Sequence, residues 1–199
     1  NSSAGLAYNQ LGQGDTITDT FTYQIADSAG GSSATLSAAT VTVTITGVND
    51  PVTAVADSIS AFENGSGLTG SITANDTDID VGDTKTVTSV SGGAGVASVA
   101  PAFGGGFVVT LSSGVSIAIS ATGAYTVTAP ESLAAEQVVN GQFTYTIQDE
   151  GGSTSSSTVS LSVSGANDAP TGAPTASLTN GTEDTPYTVT AGQLLAGFV

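Results

Sequence analysis

Residues 75–83 read N-D-T-D-I-D-V-G-D: Asp76, Asp78 and Asp80 alternate, and Asp83 follows Gly82. The chemistry open to such a run is cation binding. In an extended strand the three alternate carboxylates share one face, about 7 Å from one to the next. In a loop they converge. Either way their mutual repulsion is costly unless positive charge intervenes. Lys85 is the only basic residue in a chain of 199 residues with 17 acidic ones. One ammonium offsets one carboxylate, whereas Ca²⁺ takes about six to eight oxygens and uses several carboxylates at once. The alternative is an acidic loop solvated by water, and ligand chemistry leaves both readings open.

The run is not an EF-hand. Asp76, Asp78 and Asp80 match its first three ligand positions, but Gly82 comes one residue late and Val87 stands where the bidentate Glu belongs. Other chemistries are poorly provided for. The chain has no His and no Cys, so it lacks an imidazole base and a thiol nucleophile. Paired carboxylates hydrolyse glycosides, but these acids lie away from any obvious cleft with aromatic sugar platforms. The Gly-rich stretches 92–95 and 104–106 carry no Lys and read as turns rather than phosphate loops. The chain is therefore not expected to be an enzyme.

The formal net charge of -16 argues against nucleic acid as a partner and against an anionic membrane surface. No apolar run approaches the length of a transmembrane helix, so no membrane insertion is expected in this segment. No basic leader is present either, and an export signal is expected to lie outside this stretch.

The elements that position the acids are strands. Gly, Ser, Thr and Val dominate and helix formers are sparse, which reads as β-structure joined by turns. The sequence also repeats. Phe21-Thr22-Tyr23-Gln24-Ile25-Ala26-Asp27 returns as Phe143-Thr144-Tyr145-Thr146-Ile147-Gln148-Asp149. Each copy leads through a Gly/Ser turn into an alternating strand (residues 41–46 and 159–164). Each then ends in a tag: Gly47-Val48-Asn49-Asp50-Pro51, and 118 residues on, Gly165-Ala166-Asn167-Asp168-Ala169-Pro170. That spacing is the length of one β-sandwich domain.

A Glu follows each tag, Glu63 lying 13 residues after Asp50 and Glu183 lying 15 after Asp168. Acids that recur at domain junctions point to an inter-domain metal site, although an Asx pair before Pro is also an ordinary turn. Residues 1–51 read as the C-terminal part of one repeat, 52–170 as a complete repeat, and 171–199 as the start of another. Within the complete repeat, period-2 patterning predicts strands near 52–56, 84–90, 107–111, 115–120, 124–128, 142–148 and 158–163. Turns are expected at 112–114 and 122–123, and one helical turn at 132–136. Phe21, Tyr23, Phe143 and Tyr145 are expected to pack in cores. The expected fold class is all-β: tandem β-sandwich repeats of Greek-key type with an immunoglobulin/cadherin-like outline, partial at both ends.

The order F-T-Y-x-I-x-D, T-V-T-V-T-I-T-G-V-N-D-P, A-N-D-T-D-I-D-V-G-D resembles VCBS and related cadherin-like repeats of large bacterial surface adhesins, of the RTX type exported by type I secretion. The opening N-S-S-A-G-L-A-Y-N-Q and the closing T-E-D-T-P-Y-T-V-T-A-G-Q resemble the flanks of such repeats. The resemblance implies Ca²⁺ at the junctions. The first junction would use Asn49, Asp50, Glu63, Asp76 and Asp78, with Asp80 and Asp83 as additional ligands. The second would use Asn167, Asp168 and Glu183. Asp27 and its counterpart Asp149 match the Asp before the Gly-rich turn of these repeats. The tag is shorter than that of animal cadherins, which leaves the number of ions per junction open.

The resemblance further implies an extracellular protein, on the bacterial cell surface or secreted. These repeats would extend an adhesin, stiffen with Ca²⁺, and support adhesion or biofilm formation. Expected partners are neighbouring repeats of the same chain and other copies of itself. Two other functions stand beside this one: a subunit of a self-assembling filament or surface sheath, and a module that binds polysaccharide or protein.

Overall fold

The computed structural model describes residues 8–26, 36–63, 67–131, 133–169, 172 and 175–196. The chain folds as strands. β1 (Thr16–Ala26) and β2 (Leu36–Thr46) form an antiparallel two-stranded sheet. Nine further strands follow: β3 (Asp57–Phe62), β4 (Leu68–Ser71), β5 (Thr86–Gly92), β6 (Val96–Ala102), β7 (Gly106–Leu111), β8 (Ser116–Ile119), β9 (Ala124–Thr128), β10 (Val138–Gln148) and β11 (Thr154–Ser164). They make a four-stranded sheet ordered β3-β11-β10-β5 and a five-stranded sheet ordered β4-β9-β8-β7-β6. One short helix, α1 (Ala191–Leu194), is capped by Thr190 and Gln193. Among the described residues no helix is long and apolar enough to cross a membrane.

The two larger sheets enclose one core. Phe143, Tyr145, Ile147, Val159, Leu161 and Val163 come from alternate positions of β10 and β11 and face Val109, Leu111, Ile117, Ile119 and Val127 of the other sheet. This is the all-β sandwich expected from the period-2 patterning. The two tight turns also form as expected, with Gly114 and Gly123 at φ 88 and 83, a conformation for which Gly is suited.

Three local expectations change. Residues 52–56 alternate like a strand but do not form one. Three of their amides are taken by side chains, Val52 N by Asp149, Ala54 N by Ser155 and Val55 N by Asp76, Thr53 N donates to Thr77 O, and the first strand of the sandwich, β3, begins at Asp57. The helical turn expected at 132–136 is a reverse turn in residues 134–137, closed by Gln137 N to Ala134 O with Glu136 at φ 65. Finally, Phe21 and Tyr23 are exposed, because the β1–β2 sheet has no second sheet against its apolar face among the described residues.

β3 pairs parallel to β11, from Asp57↔Val159 to Phe62↔Ser164. This pairing gives the sandwich two distinct ends. The Asn49–Val52 linker, the 76–83 loop and the β10–β11 turn meet at one end. Glu63 and Ala166 meet at the other.

Candidate metal centre

The first end gathers the acids. After β2 the chain passes through Asn49 and Asp50, whose backbone and side chain are fixed by the next domain. Asp50 N donates to Asp80 Oδ2 at 2.8 Å, and Asn49 Nδ2 donates to Asp149 Oδ2 at 3.2 Å. Asp149 also receives Ser153 N at 2.8 Å, which closes the β10–β11 turn. Asp78 Oδ1 accepts Asp80 N at 3.0 Å, an Asx turn that aims both carboxylates to the same end. Segment 10–15, which leads into β1, lies against this loop, with Val81 N donating to Gln10 O at 3.1 Å. A polar cleft of about 220 Å³ opens between the two parts, lined by Gly12, Gln13, Asp15, Asp83, Glu150 and Gly151.

The electrostatics are one-sided. Burial first, and then the negative charges of Asp78, Asp80, Glu150 and Asp149, push the Asp83 carboxyl above the usual carboxylate range. Lys85 forms no ion pair among the described residues. Three oxygens, Asn49 Oδ1, Asp78 Oδ2 and Asp80 Oδ1, are buried without any hydrogen-bond donor. Asp80 as a whole is only 3% exposed. A buried acceptor left unpaired costs about 1–3 kcal/mol, more when charged. Gly151 packs so closely that a Cβ there would overlap Asn49 Oδ1. The donor set is all oxygen and mostly anionic, as a hard cation requires. Among the described residues, however, no three acidic side chains are grouped closely enough to hold one ion as they stand.

The structure divides the sequence-derived ligand set. Asn49, Asp50, Asp78, Asp80, Asp83 and Asp149 lie at this end of the sandwich, linked pairwise through the Asp50–Asp80, Asn49–Asp149 and Asp78–Asp80 contacts. Asp76 does not join them. Its Oδ1 accepts Val55 N at 2.7 Å and the Tyr145 hydroxyl at 2.8 Å, inside the domain, while its Oδ2, like Oδ2 of Asp57, is also buried without a donor. Beside it, burial and then the charge of Asp76 raise the Asp57 pKa, against opposing hydrogen bonds.

Glu63 also lies elsewhere. It follows β3, whose six residues carry the chain about 20 Å along the sandwich. There, 2% exposed, it accepts Leu133 N at 2.7 Å and Ala166 N at 3.0 Å. Glu63 is thus placed beside the second tag rather than the first. Asn167 and Asp168 are exposed, and Glu183 is exposed in the 175–196 segment. Asp27 lies outside the described residues. Two acids of the cleft, Asp15 and Glu150, are absent from the sequence-derived set. Asp15 is signalled by the tripeptide Gly14-Asp15-Thr16, which recurs as Gly82-Asp83-Thr84.

The family described as "Bacterial Ig domain" matches residues 49–162. No curated protein sequence matches the chain. Among solved structures, the chain is similar to mouse cadherin-23 EC22-24, at 18% identity and TM-score 0.40, covering 74% of this chain and 42% of that one. Protocadherin gammaB7 EC3-6 is similar at 20% identity and TM-score 0.36, covering 74% and 32%. Protocadherin gamma B2, domains 3–6, is similar at 15% identity and TM-score 0.34, covering 85% and 51%. This chain therefore spans between 32% and 51% of the length of these structures.

Proposed function

Because the chain belongs to the bacterial Ig domain family, we propose that it is a non-enzymatic structural module of an extracellular bacterial adhesin, stiffened by Ca²⁺ where one repeat meets the next. The observation that carries this reading is the set of donor-less buried oxygens of Asn49, Asp78 and Asp80 at the junction. A bound Ca²⁺ would supply the positive charge that no group among the described residues provides there.

The chain's own residues do the rest. Asp15 comes from the first repeat, Asn49 and Asp50 from the linker, and Asp78, Asp80, Asp83, Asp149 and Glu150 from the second. Ligands drawn from three segments tie the three segments together. Without a cation they repel, and the angle between repeats is held only by contacts such as Val81 N to Gln10 O. Repeats fixed in this way form a rod that holds a distal adhesive part away from the cell. Export by type I secretion and a role in biofilms belong to the same proposal.

The test is a thermal melt of the chain in EGTA, in Ca²⁺ and in Mg²⁺. Extracellular sites of this kind bind with Kd on the order of 10⁻⁴–10⁻³ M. Ion at ten times Kd adds about 1.4 kcal/mol, a rise of roughly 3–6 °C for a chain of this size. Asp78→Asn with Asp80→Asn removes the rise. Asp76→Asn lowers the baseline but keeps the response. A melting temperature indifferent to Ca²⁺ sinks the reading.

A second reading, assembly with other copies, is favoured by the uncovered apolar face of β1–β2, where Phe21, Tyr23 and Ile25 are exposed. Sedimentation of wild-type protein and of Phe21→Ser with Ile25→Ser decides it. A concentration-dependent oligomer lost in the variant supports assembly, and a monomer throughout removes it.

A further inference from the structure

The outer face of the four-stranded sheet is polar, as the solvent side of such a sheet is, but it also carries an open groove and an exposed aromatic. Its side chains point away from the core and form a lattice fixed by register. Ser58 and Ser60 of β3 stand beside Ser160 and Ser162 of β11, and these stand beside Gln142 and Asn140 of β10. Steps along each strand are about 7 Å and steps across strands about 4.8 Å. An open groove of about 420 Å³ runs over this lattice.

One wall is the turn at Ala94–Gly95, which is held rigidly. Gln142 N donates to Ala94 O at 2.8 Å, Gly93 N donates to Gln142 O at 2.9 Å, and Ser112 N donates to Gly95 O at 3.0 Å. At the far end of the same face stands Phe62, 73% exposed, two residues beyond Ser60. Among the described residues, none of the six lattice side chains is engaged in a hydrogen bond within the protein. No ionisable group lines the groove.

We propose that this groove binds a neutral, hydroxyl-rich polysaccharide. Binding sites of roughly 300–1,000 Å³ typically combine apolar walls with a few placed polar groups that fix orientation. The Asn140 and Gln142 amides each present donors and an acceptor, matched to neighbouring sugar hydroxyls. The four serines offer both roles at low entropic cost, because short side chains lose little rotamer freedom. Phe62 offers a flat apolar face for the C–H side of a sugar ring. The absence of charge in the groove, on a chain of net charge -16, selects against anionic glycans, which the whole molecule repels. A protein partner is less well served, because the face lacks the buried aromatic cluster that carries most protein–protein affinity.

The proposal is independent of the junction reading, and its test keeps the two apart. The chain is titrated calorimetrically with cello-, malto-, manno- and xylohexaose and with hexagalacturonate, at fixed Ca²⁺ and again in EGTA. At least one neutral hexaose binds, and hexagalacturonate does not. Phe62→Ala, and Asn140→Ala with Gln142→Ala, each weaken binding by about 10-fold or more, equivalent to ~1.4 kcal/mol, with unchanged melting temperature since all three side chains are exposed. Phe103→Ala, on an exposed tip between β6 and β7, leaves binding unchanged. Failure of all four neutral hexaoses, equal binding of hexagalacturonate, or insensitivity to the Phe62 and Asn140/Gln142 variants overturns the proposal. Self-association abolished by Phe62→Ala without any sugar bound also overturns it, and assigns the face to contacts between copies.

Discussion

β10–β11 and β1–β2 are the same hairpin written twice, with opposite burial. Phe21 pairs with Val41 and Phe143 with Val159, at the same place in each register. Gly47 N donates to Asp15 O at 2.8 Å, and the equivalent Gly165 N donates to Gln137 O at 2.7 Å. Yet Phe143 and Tyr145 are 1% and 0% exposed, while Phe21 and Tyr23 are 57% and 46% exposed. Alternation and turn chemistry therefore set strand and register, but burial comes from the opposing sheet. For β10–β11 that sheet is β4-β9-β8-β7-β6.

The largest difference to test is at the paired phenylalanines. Phe143→Ala opens a cavity between two sheets and is expected to cost about 3–5 kcal/mol. Phe21→Ala is expected to change stability by less than about 0.5 kcal/mol, as at other exposed positions. Urea denaturation of both variants measures this. A Phe21→Ala cost comparable to that of Phe143→Ala means that something covers the first hairpin in solution.

The paired tyrosines differ in one hydroxyl contact. Tyr145 OH lies 2.8 Å from both Val55 O and Asp76 Oδ1. Tyr145→Phe leaves the buried Asp76 carboxylate short of a donor, and is expected to cost about 1–3 kcal/mol. Tyr23→Phe is expected to be neutral. Burial first, then the hydrogen bond and charge of Asp76, push the Tyr145 pKa far above its ordinary value. The folded state thus holds this proton more tightly than the unfolded chain, whose Tyr titrates near 10. The contribution is fully present below about pH 10 and declines as pH rises above it. Stability profiles from pH 7 to 11 should show an alkaline loss that Tyr145→Phe reduces and Tyr23→Phe retains, the remainder coming from Tyr125, whose pKa burial and the charge of Asp57 also raise.

A smaller effect is expected at the turn that follows β10. Asp149 accepts Ser153 N and Val52 N as well as the Asn49 amide. Asp149→Asn keeps the shape but weakens these acceptor contacts, with an expected cost of about 1–1.5 kcal/mol. Differential denaturation in EGTA measures it free of any cation. No loss there means that Asp149 does not organise the turn, and leaves the linker held by Asp80 alone.

The same comparison shows what was legible in the sequence. Both hairpins and the β7–β9 meander could be read from period-2 runs and their Gly turns. β4 and β6 could not, because L-T-G-S and V-A-S-V-A-P-A present small residues with little contrast between faces. At the site, acids recurring at a junction point to the linker pair Asn49 and Asp50 and to the Asp run, and the structure brings these two segments to one end of the sandwich. Asp76 could not be separated from Asp78 by spacing alone, since the division depends on Tyr145, 69 residues away from Asp76. Glu63 lies beside the second tag because β3 pairs parallel to β11, a long-range contact that leaves no local signature. Asp15 was readable in the repeated Gly-Asp-Thr, but only by comparing the two segments directly.

The smallest expected effect lies at the entrance of the two equivalent strands. Gly14 precedes β1 by two residues and Glu136 precedes β10 by two, and both have positive φ, 86 and 65. The backbone makes the same left-handed step in each copy, so the side chain is the variable. Glu carries a steric cost there that Gly avoids. Glu136→Gly is therefore expected to stabilise the sandwich by about 0.5–1 kcal/mol, net of the entropy that Gly adds to the unfolded chain. Gly14→Ala is expected to loosen the segment carrying Asp15 without unfolding the sandwich, because residues 8–46 make few contacts with its core. Calorimetry reads the first and amide exchange of Asp15 and Gly47 the second. A Glu136→Gly variant less stable than the parent would mean that the Glu136 side chain, rather than the left-handed backbone step, holds the entrance to β10.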